Sequence, residues 1–304
     1  MHLDETNLFQ TVVANAARHF NILKEYVEKD YWLTKILKNI FQYDYGYVFK
    51  GGTSLSKCFH VINRFSEDID ISYSESYLEA KITDTNRRFK GISASIKNAG
   101  LLINNKDKLR RSRYFNRFIC PYNSLFNEVS IQKAVVVELA AQTPSFPNEV
   151  KTIQSFVGTY LEESGRHDLV EQYELQSFEV VTQKLERTFV DKVFAICDYY
   201  LSNKCEKHSR HLYDLTKIVQ NIRLDESVAE LFKEVRKYRF DNPICPSAKE
   251  GIKLFNIIYE IIKNKPFQKD YNKTTFSLLY ESVPYHRCED NLSVIKNFLK
   301  KFDI

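Results

Sequence analysis

One run of twenty-five residues, Phe49 to Tyr73, constrains the fold of this chain more than any other part of it: FKGGTSLSKCFHVINRFSEDIDISY. A short β run, Tyr47-Val48-Phe49, meets Gly51-Gly52, and a helical segment begins at about Ser54. After a loop, Asp68 to Tyr73 alternates polar and apolar residues as a half-buried strand does. Strand, turn, helix and second strand in so short a span predict a sheet with helices packed on it. The flanking sequence agrees. Residues 26–41 place Leu33, Ile36, Leu37, Ile40 and Phe41 at helical spacing. A helix is predicted over 77–98, closed by Gly100, and strands over 113–119 and 133–140.

Beyond residue 180 the pattern becomes helical throughout, over 183–201, 209–221, 226–238, 248–264 and 289–302. Pro243, Pro246, Pro266 and Pro284 fall between these stretches. The expected organisation is therefore an α/β domain over 1–180 followed by an all-α domain over 181–304. A length of 304 residues suits two domains. No stretch approaches the roughly 18 apolar residues of a membrane helix, and MHLDETNLFQ lacks a basic region ahead of an apolar run. A cytoplasmic protein is expected, with no membrane partner. The six cysteines are scattered without zinc spacing, which predicts reduced, mostly buried thiols.

The chemistry lies in the same central run. Two glycines after a strand let backbone approach a phosphate, and Ser54 with the amides opening the helix adds donors. Alternation puts Asp68 and Asp70 on one face of their strand, where two hard carboxylates suit Mg²⁺ or Mn²⁺ held together with a nucleoside triphosphate. Lys57, one turn beyond Ser54, either reaches the phosphates or is an exposed helix lysine. A second feature is the strip Lys106–Arg117, KDKLRRSRYFNR, with six basic residues against one acid. Arg110, Arg111 and Arg113 at its centre are either a solvated run or a phosphate-contacting surface for a nucleic acid.

Glycine pair and Asp-x-Asp, in this order and separation, match the active-site layout of the DNA polymerase beta-type nucleotidyltransferases. Within them the sequence resembles the AbiEii/AbiGii nucleotidyltransferase toxins of abortive-infection and toxin–antitoxin systems. The resemblance rests on VEKDYWLTKIL (27–37), FKGGTSLSK (49–57) with RFSEDIDIS (64–72), LERTFVDKVFAI (185–196) and SRHLYDL (209–215). It implies a polymerase beta-like mixed sheet with helices, and transfer of a nucleoside monophosphate from an NTP to an acceptor. By the resemblance, Gly51, Gly52, Thr53 and Ser54 hold the triphosphate, Asp68 and Asp70 bind metal, and Lys192 contacts phosphate. Asp214 becomes a catalytic or orienting carboxylate, with Arg210 one turn earlier supporting it; the bland alternative is that Lys192 and Asp214 form a structural ion pair. Glu138, inside VVVELA, is the candidate third carboxylate, its alternative being an edge-strand acid facing water. The resemblance further implies a growth-inhibiting toxin, a cognate antitoxin, and an RNA acceptor such as the 3′ end of tRNA. Protein nucleotidylylation and a non-catalytic nucleotide- or RNA-binding toxin are the competing readings. The four matching blocks end at residue 215, and the last ninety residues add none.

Overall fold

The structure is a computed structural model that describes residues 2–75, 83–109, 115–127, 131–140 and 143–304, with backbone alone for 83–87. The chain divides into two compact units. One comprises residues 1–58 and 66–182, the other residues 59–65 and 183–304. The seven residues joining the glycine-bearing helix to the Asp-x-Asp strand thus fold with the C-terminal part, although a division at residue 180 would put them in the first half. Among the described residues, no helix is long and apolar enough to cross a membrane.

The first unit is built on a mixed sheet of six strands among the described residues: β1 (Tyr47–Lys50), β2 (Asp68–Tyr73), β3 (Phe115–Pro121), β4 (Ala134–Ala140), β5 (Asn148–Ile153) and β6 (Phe178–Gln183). Their order is β3-β4-β2-β1-β6-β5. β1 and β3 run antiparallel to β2 and β4 respectively, whereas β2 pairs with β4, and β1 with β6, in parallel. In β2 the period of two does what the sequence predicts. Ile69 and Ile71 are fully buried, while Asp68 and Asp70 between them are half-buried on the other face. β5 and β6 are not predicted from the sequence. In β5 only Ile153 is buried and Val150 is more than half exposed, so its apolar signal is diluted by Glu149 and Lys151.

Helices α1 (Leu8–Phe20), α2 (Lys24–Phe41), α3 (Gly51–Lys57), α4 (Thr83–Asn98), α5 (Phe156–Glu163) and α6 (His167–Gln172) complete this unit. In α2, Leu33, Ile36, Leu37 and Ile40 form the predicted buried stripe, and the same helix also buries three charged residues, Glu25, Glu28 and Lys29. Buried charge is costly unless it is paired. Glu28 accepts from the Leu125 amide at 2.8 Å and from the Ser124 hydroxyl. Lys29 donates to Glu67 and to the Gln132 carbonyl.

The second unit contains α7 (Leu185–Leu201), α8 (Arg210–Val219), α9 (Glu226–Arg239), α10 (Leu254–Asn264) and α11 (Tyr285–Lys301). Phe189, Phe194 and Phe232 pack at its centre, the latter two with ring centroids 5.8 Å apart. Residues 59–65 are zipped along residues 278–280. Phe65 donates its amide to Leu278, Tyr280 donates its amide to Asn63 at 2.9 Å, and Arg64 bridges to Leu279. The Tyr213 hydroxyl accepts from the Asn63 amide at 2.8 Å. The unit is therefore helical but not purely α. All six cysteines are free, and all but Cys205 are buried.

Candidate active site

Strand register assembles a charged row across the sheet of the first unit. Asp70 lies opposite Lys50 of β1 and in register with Glu138 of β4, which in turn faces Arg117 of β3. Directly opposed residues share a face, so Lys50, Asp70, Glu138 and Arg117 line one side of the sheet, and Asp68 joins them two residues along β2. β4 is an interior strand, so the reading of Glu138 as an edge-strand acid does not hold. Its observed partner is Arg117, whose Nε stands 3.4 Å from Glu138 Oε1 with both side chains partly exposed.

Gly51 is fixed by two independent requirements. Its φ of +81° is a conformation L side chains rarely adopt, and a Cβ there would sit 1.9 Å from Asp70 Oδ2. The turn thus packs its backbone directly against the second carboxylate. The hydroxyls that follow are engaged within the fold. Thr53 Oγ1 donates to the Asp68 carbonyl at 2.6 Å and lies 3.0 Å from Ser66 Oγ. Ser54, fully buried, donates to the Gly51 carbonyl at 2.9 Å. The Ser54 hydroxyl, expected at phosphate, thus bonds back to the carbonyl three residues earlier, and the half-buried Gly51-Gly52 backbone is the accessible part of the turn.

Lys57 is not the exposed helix lysine that was one of its two expected readings. Its ammonium pairs with Asp30 of α2 and donates to the Gln154 carbonyl at 3.0 Å, with both side chains about nine-tenths buried. Asp30 in turn accepts from the Phe156 amide at 2.8 Å. Lys57 ties α3 to its neighbours, and its charge is spent there.

Among the described residues, no group of three His, Cys, Asp or Glu side chains stands close enough to hold a metal ion. Two carboxylates on one face are nevertheless the donor set Mg²⁺ uses when it is shared with a substrate. Such an ion takes one or two protein carboxylates and completes its shell with water and phosphate oxygens. Asp68 and Asp70 fit that arrangement, and Glu138 stands next in the row.

The second unit gathers a different constellation. Asp214 of α8 is fully buried and gripped from two sides. Arg64 forks onto it, Nε to Oδ1 at 2.7 Å and Nη2 to Oδ2 at 2.8 Å, while Lys192 of α7 donates to Oδ2 at 2.7 Å. Burial alone would raise the Asp214 pKa, but the Arg64 and Lys192 charges outweigh it and hold the carboxyl far below its usual range. Burial pushes the Lys192 pKa down, with Asp214 pulling it back. His211 Nδ1 lies 3.5 Å from the Lys192 ammonium, and burial together with that charge keeps its imidazole neutral. The arginine supporting Asp214 is thus Arg64; Arg210, expected in that role, is exposed. Arg64 opens the block RFSEDIDIS, and only three-dimensional contact reveals what it does. Arg110, Arg111 and Arg113 lie outside the described residues.

A family model describing the nucleotidyl transferase AbiEii toxin of type IV toxin–antitoxin systems matches residues 35–287. The chain belongs to this AbiEii family. A search of curated proteins finds no match. As an AbiEii member the chain is a nucleotidyltransferase toxin, a class that uses an NTP, usually with a divalent metal, and is paired with a cognate antitoxin.

Proposed function

We propose that this toxin transfers a nucleoside monophosphate from an NTP to an RNA acceptor, with Asp68 and Asp70 holding Mg²⁺. The observation that carries the reading is the pairing of two same-face carboxylates with a glycine turn packed against the second of them. An acceptor hydroxyl oxygen bonds to the α-phosphorus, the bond to the bridging oxygen breaks, and pyrophosphate leaves with the electron pair. The hydroxyl proton passes to a carboxylate or to water. A divalent ion, when bound, supplies charge neutralisation in this step. Asp68 and Asp70 hold it, Glu138 is a third carboxylate once Arg117 releases it, and the Gly51–Thr53 backbone carries phosphate oxygens. The family resemblance assigns Lys192 and Asp214 to the same reaction. In this reading Asp214, itself gripped by Arg64, is the carboxylate that orients the Lys192 ammonium toward phosphate.

RNA is favoured as acceptor by the basic strip Lys106–Arg117, since phosphate contacts need such a surface. The tRNA 3′ end fits a growth-inhibiting role in the cytoplasm. The test is incubation with each labelled NTP, Mg²⁺ and either total RNA or cell lysate. Label in the RNA fraction, absent with Asp70→Ala, is the expected result. Label in protein alone would replace the acceptor, and no label in any fraction would overturn the enzyme reading.

A further inference from the structure

The loop that delivers Asp68 is held from two directions, by the Lys29 ammonium, which has no assigned role, and by the Thr53 hydroxyl, whose backbone alone is assigned to phosphate. Lys29, on the buried stripe of α2, is only 1% exposed, and its ammonium donates to the Glu67 carboxylate and, at 2.8 Å, to the Gln132 carbonyl. Glu67 is the residue immediately before Asp68. From the other side Thr53, 2% exposed on α3, donates through Oγ1 to the Asp68 carbonyl at 2.6 Å, with Ser66 Oγ 3.0 Å from the same atom. Ser66, Glu67 and Asp68 are therefore each bound by a side chain rooted in a helix of the same unit. An ammonium as buried as that of Lys29 is costly unless paired, and α2 is anchored beneath it by Leu33, Ile36 and Leu37. A helix so anchored makes a rigid post.

We propose that Lys29 and Thr53 are positioning residues that set the backbone at Glu67–Asp68, so that the Asp68 carboxylate stands ready beside that of Asp70 for a divalent cation. The proposal rests on the reading of Asp68 and Asp70 as metal ligands. Ligand constellations need to be held within about 0.5 Å of working geometry by surrounding contacts. Asp68 opens β2, with sheet pairing on one side of it only, so its placement depends on what fixes Ser66 and Glu67. Lys29 acts through Glu67, the residue before Asp68.

The test compares wild type with Lys29→Met, Lys29→Arg and Thr53→Val. Mn²⁺ affinity is read from the electron paramagnetic resonance signal of free Mn²⁺, with a non-hydrolysable NTP analogue present. Amide hydrogen exchange of residues 64–70 is read in metal-free protein. Loss of an outer contact of this kind weakens metal binding by about 10–100-fold, and Lys29→Met is expected in that range. Lys29→Arg should restore most of the affinity, and Thr53→Val should show a smaller loss. In both Lys29→Met and Thr53→Val, residues 66–68 should exchange faster while the rest of the sheet is unchanged. Thr53→Val removes only a hydroxyl, so it decides the matter if Lys29→Met does not fold. A lowered melting temperature with unchanged Mn²⁺ affinity and unchanged exchange at 66–68 would overturn the proposal. If wild type itself binds no Mn²⁺, the metal-ligand reading fails, and the exchange arm alone then decides whether these side chains fix the loop.

Discussion

Two constellations in this protein contain carboxylates facing cations, and they are opposite in kind. In the first unit Asp68, Asp70 and Glu138 are half-buried on one face of a sheet, two of them adjacent and like-charged, and the arginine nearest to Glu138 is half exposed. In the second unit Asp214 has no exposed surface and is saturated by a forked guanidinium and an ammonium. The first arrangement sets three carboxylates against two cations, Lys50 and Arg117, on a face open to solvent. In the second the one carboxylate is shared by two cations, and removing it leaves both buried without that shared charge. A family motif marks both equally; burial and partners separate a row open to solvent from a cluster closed on itself.

The largest effect is expected at the open row. Asp68→Ala and Asp70→Ala should each reduce nucleotide transfer below detection, while the melting temperature holds or rises because a like-charged neighbour is removed. Gly51→Ala should reproduce the loss through geometry. Its Cβ displaces the Asp70 carboxylate, and the positive φ adds a cost of about 1–2 kcal/mol. Transfer assays on purified variants, paired with melting curves, check this. Residual activity near wild type in Asp70→Ala would break the assignment of the row as the reactive surface.

The closed cluster should answer in stability as well as in transfer. Asp214→Asn leaves Arg64 and Lys192 buried without their shared anion, a loss of about 3–5 kcal/mol. The pH dependence carries the same signature. The Asp214 pKa is lowered in the folded state, so its contribution is complete above about pH 4, the unfolded value, and is lost as pH falls below it. His211 acts earlier. Burial, then the Lys192 charge, hold its imidazole well below the ordinary value, so the unfolded chain takes up a proton that the folded protein refuses once pH drops below about 6.5. Stability should fall there by about 1.4 kcal/mol per pH unit for that one proton. Chemical denaturation from pH 8 to 3 should show a flattened upper limb in His211→Gln and a flattened acid limb in Asp214→Asn.

Much of this was legible in the chain itself, and the remainder was not for physical reasons. The period of two in Asp68–Tyr73 specifies which residues face the core, because Ile69 and Ile71 must be buried together, and that places both aspartates on one face. The stripe in α2 is equally direct. β5 escapes notice because a half-exposed edge strand has little apolar pattern to show. The hydroxyl of Ser54 looks like a phosphate donor in a one-dimensional motif, yet a serine in a first helical turn can also donate back to the carbonyl three residues earlier, as Ser54 does to Gly51. The pairings of Lys57 and Arg64 escape the sequence for one shared reason. Their partners, Asp30 and Asp214, lie 27 and 150 residues away, and no local periodicity encodes such pairings.

The finest test sets one arginine against the other. Arg64 and Arg117 each face a carboxylate, but the side chains of Arg64 and Asp214 are 3% and 0% exposed, those of Arg117 and Glu138 51% and 29%. Solvent screens the second pair, so Arg117→Gln should change stability by less than about 1 kcal/mol. Arg64→Gln strands a buried carboxylate and should cost about 3–5 kcal/mol. Arg117 has a further readout that Arg64 lacks. It ends the basic strip and stands on the exposed edge strand β3. If it grips an acceptor phosphate, Arg117→Gln should lower the slope of log affinity for RNA against log salt by about 0.7–0.9 while leaving the melting curve in place. An unchanged slope would confine Arg117 to holding Glu138, and a melting loss as large as that of Arg64→Gln would erase the distinction between an open row and a closed clamp.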